Sequence, residues 1–543
     1  MSLEHDRITR RTLFSGLGGL TVGGVVAPWG GLAAAGAARE PIRGMYVHRA
    51  WPYRRPYAAR AWTLADWRGF AEGLGELGFN TVVVWPVIEI MPLPPTPSDT
   101  ADLELLAGVI DMLHGMRMKV FTTLCPNIIA DDAAARAVPF HDRHYFHSLD
   151  YVDPADHAAI EALVAVREEQ LRPLAAMDGC VIIDSDTGSF PGAKNDDFVA
   201  LLVAHRRMLD RLRPEIELLY WMHVGWEAYG RYHATGTFEW ASRGEVADLL
   251  AKLEAADPAP WGISVHSLGQ HADLEVARDR GLESRAVFFN YGAIEGEPTF
   301  PMTNYGGENA FQAGRFEADR AVGARGVVGN AQTHCLQLPN IFAFSRGFTE
   351  AAVAEVDFVS FANDLVPGRG ELIVRGWQAV AGDDTEAMRN VGEQLAAAAA
   401  AGPTAGRLGG LLFGDPGRFL TDLRLQLELR LAGVELIAAS GESVDGARLK
   451  AFVAAAERWQ AAHGYQCMWN IATLPKIDEV LRKLNSARLD ALLAEKDWWS
   501  ATNPSLVGAT PFERHQDQNR KWDTHTVRVL AALREIADTL AER

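Results

Sequence analysis

Gly179-Cys180-Val181-Ile182-Ile183-Asp184-Ser185-Asp186-Thr187-Gly188 is an apolar, β-branched run that breaks into two acids and a glycine turn. Residues two apart on a strand share a face, so Asp184 and Asp186 are expected to project together from the strand's carboxyl end. Two carboxyls that close resist joint ionisation, which keeps one protonated near neutral pH. The same pattern also suits a helix cap or a carboxylate held by backbone amides. The position of this strand in the chain decides how it is read.

Around it, apolar extended runs alternate with amphipathic helical ones. Strands are expected at 44–48, 80–85, 119–124, 180–184, 217–222, 262–266, 285–291 and 326–330. Helices are expected between them, at 64–77, 103–116, 157–171, 197–212, 243–255, 273–280 and 310–322, with one more at 339–345. Eight strand–helix units in about 300 residues is the arithmetic of a (β/α)₈ (TIM) barrel of the α/β class. Continuous apolar strands such as Thr81-Val82-Val83-Val84 suit a parallel sheet buried on both faces. A doubly wound open sheet is the alternative. It would carry a Gly-x-Gly-x-x-Gly turn after an early strand, and none is present.

Beyond residue 346 the strand pattern stops. Helical periodicity covers 351–365, 371–381, 385–401, 419–439, 445–463, 477–493 and 525–540. The expected organisation is a leader at 1–38, a catalytic barrel at 39–346 and an α-helical carboxyl-terminal domain at 347–543.

Composition narrows the function classes. The chain has 543 residues, 48% hydrophobic and 22% charged, an ordinary globular balance with ample core. A net charge of −18 argues against nucleic acid, whose phosphates need a basic surface. Four cysteines (Cys125, Cys180, Cys335 and Cys467) do not make a disulfide framework in so long a chain. No Cys-x-x-Cys or His-Glu-x-x-His occurs, so no resident metal or other cofactor is expected. The leader Thr9-Arg10-Arg11-Thr12-Leu13-Phe14, with a Gly-broken apolar run and the small residues at 33–38, resembles a twin-arginine (Tat) export signal. That resemblance implies passage through the Tat machinery, cleavage near Ala38 and a secreted or periplasmic product without a stable membrane span.

In a barrel the chemistry sits at the carboxyl ends of the strands. The first strand ends at His48, near Trp51, and the second at Trp85, ahead of Glu89. Asn127 follows the third strand, and Asp184 and Asp186 end the fourth. The fifth supplies Trp221 and His223, with Trp226 after them, and the sixth ends at His266. The seventh ends at Asn290 and Tyr291, ahead of Glu295, and the eighth ends in Asn330, Gln332 and His334. A lone Trp or His after a strand is more often packing, but so many polar and aromatic groups at one end suggest an oligo- or polysaccharide ligand. Amides and carboxylates bind hydroxyls, and indoles stack on C–H faces.

Glycoside hydrolysis needs one carboxyl to protonate the leaving oxygen and a second group at the oxocarbenium-like centre. Two layouts fit. In one, Asp186 is the general acid and Asp184 orients a substrate acetamido group that acts as internal nucleophile. In the other, Asp186 or Asp184 works opposite Glu295. A carboxyl separation of about 5 Å then gives retention, and about 6.5–9.5 Å gives inversion. The long loops at 86–100 and 131–153 suit a walled pocket and exo action.

The acidic pair after the fourth strand, the aromatic residues around it and the helical region behind the barrel resemble the β-N-acetylhexosaminidase and O-GlcNAc-hydrolase group. The resemblance implies substrate-assisted cleavage of N-acetyl sugars. Ser185 separates the two acids here, where the hexosaminidases have adjacent Asp-Glu. Residues 184–188 also resemble the α-glucuronidase barrels, which implies an acidic sugar. Two other readings stay open. A metal-dependent sugar isomerase or epimerase would use Glu89, Asp184, His223, His266 and Glu295 as ligands, and a non-catalytic glycan-binding barrel would use none of them for chemistry.

Overall fold

The computed structural model describes residues 40–185, 187–256, 261–266, 272–290, 303, 305, 324–331, 333–348, 353–464, 476–495 and 508–541. The proposed export signal and Cys467 lie outside the described residues.

Eight parallel strands close into a barrel in chain order. They are β1 (Ile42–Val47), β2 (Thr81–Val84), β3 (Lys119–Leu124), β4 (Gly179–Ile183), β5 (Glu217–Trp221), β6 (Trp261–His266), β7 (Ala286–Asn290) and β8 (Gly326–Ala331). The seam between first and last strands is closed by Ile42 opposite Gly326 through Val47 opposite Ala331. The expected (β/α)₈ class is therefore the one observed, with strand limits within two residues of those read from the sequence.

The barrel interior is a packed plug. Trp221 on β5 stacks on Phe289 on β7 with ring centroids 3.6 Å apart. Tyr46 on β1 meets both edge-on, at 5.7 Å and 5.5 Å. These strands are not neighbours in the sheet, so the rings can meet only across the barrel axis. A layer built from alternate strands is how this fold fills its centre.

The outer helices start where the sequence supplies caps. Thr63 and Asp66 form a reciprocal capping box at the head of Leu64–Glu76, and Thr96 and Asp99 do the same for Pro97–Gly115. Asp99 also reaches beyond its own helix. Its other oxygen takes a 2.8 Å bond from Arg143, and both side chains are fully buried. Arg143 also donates to the Ile90 carbonyl at 2.6 Å. This pins the loop after β2 to the long excursion after β3. That excursion carries a small antiparallel hairpin, Ile128–Ala130 with Leu149–Tyr151.

After the barrel come Glu355–Leu365, Gly370–Ala381, Thr385–Ala400, Pro416–Ala439 and Gly446–His463, then shorter helices and His525–Ala541. Pro511–Asp523 is a helix the sequence periodicity does not reveal. One hydrophobic cluster runs through both regions, from Met45 and Val82 in the strands to Trp377 and Trp459 in the later helices. Cys125, Cys180 and Cys335 are free, buried thiols. Among the described residues no helix is long and apolar enough to cross a membrane.

Candidate active site

The register of the sheet settles which face each strand end presents. Ile183 lies opposite Trp221, and directly paired residues of parallel strands point the same way. Trp221 fills the barrel interior, so Ile183 faces inward and the next residue, Asp184, faces out. Its contacts agree. Tyr220, the outward neighbour of Trp221, donates its hydroxyl to Asp184 Oδ2 at 2.7 Å. The same Tyr220 ring packs edge-on against Phe198 of the helix Asn195–Leu212, at 5.1 Å. Asp184, expected at the strand end as one of an acidic pair, thus faces the surrounding helices. Asp186 lies outside the described residues.

Asp184 is fully buried and takes hydrogen bonds on both oxygens. Besides Tyr220, Oδ2 accepts from the Gly225 amide at 3.0 Å. Oδ1 accepts from the Ser185 hydroxyl at 2.8 Å and from the His223 and Val224 amides at 3.1 and 3.2 Å. Complete burial raises its pKa above the ordinary carboxylate value, and the bonds from Tyr220, Ser185, His223 and Val224 pull against that shift. The loop after β5 thus winds round one carboxylate. Gly225 permits the winding with a φ of +100°, a conformation that L side chains avoid.

Ser185 bridges inward. Its Oγ lies 2.9 Å from His223 Nδ1 and accepts the Val224 amide at 3.1 Å. His223 sits edge-on to Trp240 at 6.5 Å, in a cleft also lined by Trp226, Glu227 and Glu245.

Across the rim, β1 and β2 build an aromatic wall. His48 stacks on Trp51 at 5.2 Å with a 15° interplanar angle, and meets Trp85 edge-on at 5.0 Å. The Trp85 indole N–H donates to Glu89 at 3.1 Å, and the Cys125 amide donates to the same carboxyl at 2.6 Å. Burial raises the Glu89 pKa, with the Arg167 cation pulling it back. Arg167 is itself buried and holds the turn after β3, donating to the carbonyls of Cys125, Pro126 and Ile128.

The other expected residues divide by position. Asn330 lies opposite Tyr46 and so faces inward; its Oδ1 is buried and meets no partner among the described residues. Trp221 is part of the axial plug rather than the rim. Asn127 is fully buried and ties two loops together, donating to the Val152 and Ser189 carbonyls at 2.8 and 2.9 Å. Trp226 packs flat on Phe198 in the helical layer, at 4.6 Å. His334 is wedged edge-on against Trp62 and Phe70, and burial lowers its pKa to about 4. Asn127, Trp226 and His334 are thus built into the scaffold. Asn290 ends β7 and His266 ends β6, with the side chains of both outside the described set. Tyr291, Glu295 and Gln332 also lie outside the described residues.

Sequence reading missed Ser185, Tyr220 and Trp240 as parts of this rim. Only Ser185 left a signal, as the polar residue between the two acids. Among the described residues no three His, Cys, Asp or Glu side chains converge to hold a metal ion.

No family model matches the sequence, and no curated protein does. Among solved structures, the chain is similar to a protein designated CpGH84B, with a TM-score of 0.42 and 10% identity over 81% of this chain and 74% of that one. It is also similar to an O-GlcNAc hydrolase variant from Thermobaculum terrenum, with a TM-score of 0.37 and 9% identity over 93% of this chain and 96% of that one. A sialic acid aldolase from Aliivibrio salmonicida gives a TM-score of 0.32 and 10% identity over 61% of this chain and 86% of that one.

Proposed function

We propose that this protein is an exported glycoside hydrolase that holds its reacting sugar at the carboxyl-end mouth of the barrel. The observation that carries the reading is the composition of the rim. An indole wall of Trp51 and Trp85, backed by the buried Glu89 carboxyl, lies across the barrel end from the Asp184–Ser185–His223 segment. Aromatic faces opposed to hydrogen-bonding groups suit a ring with one apolar face and several hydroxyls.

Asp184 is committed to five hydrogen bonds, which favours Asp186 as the proton donor, with Asp184 holding the loop after β5. Glu295, from the segment after β7, is the second carboxyl in this reading. An N-acetylated or acidic sugar is the expected substrate, with exo action, and Tat export delivers the enzyme to the periplasm or medium. No metal enters the mechanism.

The test is a panel of nitrophenyl glycosides and natural glycans assayed with wild type, Asp186→Asn and Glu295→Gln, with and without EDTA. Loss of a general acid or its partner lowers the rate by about 10²–10⁴-fold. Wild-type rates in both variants on the best substrate would refute the assignment. Activity abolished by EDTA would move the protein to the metal-dependent isomerase class.

A further inference from the structure

The helix Pro511–Asp523 belongs to the carboxyl-terminal region, yet it docks on the loops at the barrel mouth. Near its start, Phe512 lies 5.0 Å from Tyr151 and 5.3 Å from Phe190, in the segments after β3 and β4. Its last turn grips Tyr145–His147 twice. His147 Nε2 donates to the Arg520 carbonyl at 2.9 Å, and Asp523 Oδ2 accepts the Phe146 amide at 3.2 Å. Anchored at both ends, the helix gives the fully buried Asp523 carboxyl one fixed place.

Two routes lead from that carboxyl to Trp51. The first is packing: Asp523 holds the Phe146 amide, and the Phe146 ring meets the Trp51 indole at 6.2 Å. The second is charge. Arg49, Arg60 and Arg143 surround the Phe140 ring at 5.7, 4.9 and 5.7 Å. Arg49 is paired with Asp102, and Arg143 with Asp99. Arg60 instead donates to four carbonyls, those of Arg49 and Ala50 after β1 and of Phe140 and Arg143 after β3. Neutral carbonyls leave its buried charge to the carboxyls further off, which are Asp102 and Asp523. Ala50 precedes Trp51 in the chain, so Arg60 clamps the backbone at the root of the indole.

We propose that Asp523 is a positioning residue for Trp51: through the Phe146 turn and through Arg60 it sets the indole wall, which makes the carboxyl-terminal helix part of the sugar-binding mouth. The carboxyl can also change its charge there. Burial raises its pKa to about 8, with the Phe146 amide and Arg60 pulling the other way. Ionisation strengthens both its bond to that amide and its pull on Arg60. The other charged and titratable groups around it are His144, with Nδ1 at 3.8 Å, and His147 on the same turn. Beyond Arg60, on the short helix Ala59–Ala61, stands Asp102 on Pro97–Gly115.

The role in sugar binding rests on the glycosidase reading; the coupling of Asp523 to Trp51 does not. The test is the ¹⁹F spectrum of the protein carrying 5-fluorotryptophan, with the Trp51 signal assigned by Trp51→Phe. In wild type that signal should move with an apparent pKa near 8. Asp523→Asn keeps a carbonyl for the Phe146 amide and removes the ionisation, so its Trp51 signal should hold the low-pH position throughout. His144 and His147 are intact in that variant. A step near pH 8 that persists in it, or a wild-type signal without one, overturns the proposal even if hydrolysis is found. Asp523→Ala leaves the Phe146 amide without its acceptor and should displace the signal at every pH. A signal identical to wild type in that variant, with far-ultraviolet circular dichroism showing it folded, also overturns the proposal. Should Asp523→Ala fail to fold, the comparison of wild type with Asp523→Asn still decides. On a glycoside that is turned over, Asp523→Ala should raise KM about two- to tenfold, the worth of one aromatic contact, with kcat changed less. A fall in kcat at constant KM counts against the role in binding.

Discussion

At the scale of single residues, burial sets the chemistry more strongly than residue type does. Asp523 shows it at the end of the helix Pro511–Asp523, where its side chain is fully buried. Oδ2 accepts the Phe146 amide at 3.2 Å, and His144 Nδ1 stands 3.8 Å away. Burial raises its pKa to about 8, with the Phe146 amide and the Arg60 cation pulling the other way. An acid whose folded pKa exceeds its unfolded value, about 3.9, stabilises the fold fully at low pH and loses that contribution as pH rises towards 8. Asp523→Asn keeps a carbonyl for the Phe146 amide and removes the ionisation. Its melting temperature should therefore exceed that of wild type at pH 9, and the gap should close as pH falls towards 4. A gap independent of pH in thermal melts would refute this. Asp184 marks the limit of what sequence reveals at the same scale. Alternation located two acids at the end of β4, but which face of β4 looks inward depends on its pairing with β5. The Ser185–His223 contact joins residues that follow different strands, β4 and β5, and no local pattern encodes it.

Elements were legible where they bury an apolar stripe and illegible where they dock through polar rings. The helix expected at 385–401 is found as Thr385–Ala400, with Asp384 as its cap. Pro511–Asp523 left no such signal, because among its residues only Phe512 and Trp522 are large apolar groups. It is held instead by rings. The Tyr229 and Tyr232 hydroxyls lie 3.4 and 3.3 Å from the two nitrogens of His515. Phe512 and His515 flank His233 at 4.8 and 5.1 Å. Neither nitrogen of His233 has a hydrogen-bond partner among the described residues. Burial, with His515 beside it, holds the His233 pKa well below the usual imidazole value. A base whose folded pKa is depressed gives its full stability above about pH 6.5 and loses it as pH falls below that. Acid should therefore loosen this helix early. Between pH 6.5 and 4.5, amide protection factors over 511–523, referred to the intrinsic rate at each pH, should fall more than those in the strands, and His233→Phe should abolish the difference. A uniform change in protection across the chain, identical in His233→Phe, would contradict the idea.

On the scale of the whole molecule, the barrel was readable because strand–helix alternation repeats along the chain, whereas the seating of the later helices on it leaves no periodic trace. That seating depends on two backbones brought into contact. Gly69, in the helix Leu64–Glu76, and Gly410, in the short helix Gly409–Leu412, face each other so closely that a Cβ on Gly69 would lie 3.2 Å from the Gly410 Cα. A Cβ on Gly410 would overlap the Gly69 carbonyl oxygen, which has no flexible end to move aside. The Tyr57 hydroxyl bonded to Asp422, and the Tyr57 ring 4.2 Å from His463, extend the same contact. Gly410→Ala should accordingly force the two regions apart and cost about 1–3 kcal/mol, the usual range for overpacking. Gly392 provides the control. It lies within Thr385–Ala400 with nothing near its missing Cβ, so Gly392→Ala should stabilise by about 0.5–1 kcal/mol through helix propensity alone. The continuous hydrophobic cluster requires the loss in Gly410→Ala to reach the whole chain. Tryptophan fluorescence and far-ultraviolet circular dichroism should shift together to one lower melting temperature. If the later helices melted separately while the barrel kept its wild-type midpoint, the shared core would not couple them, and the close approach of Gly69 and Gly410 would be a local contact only.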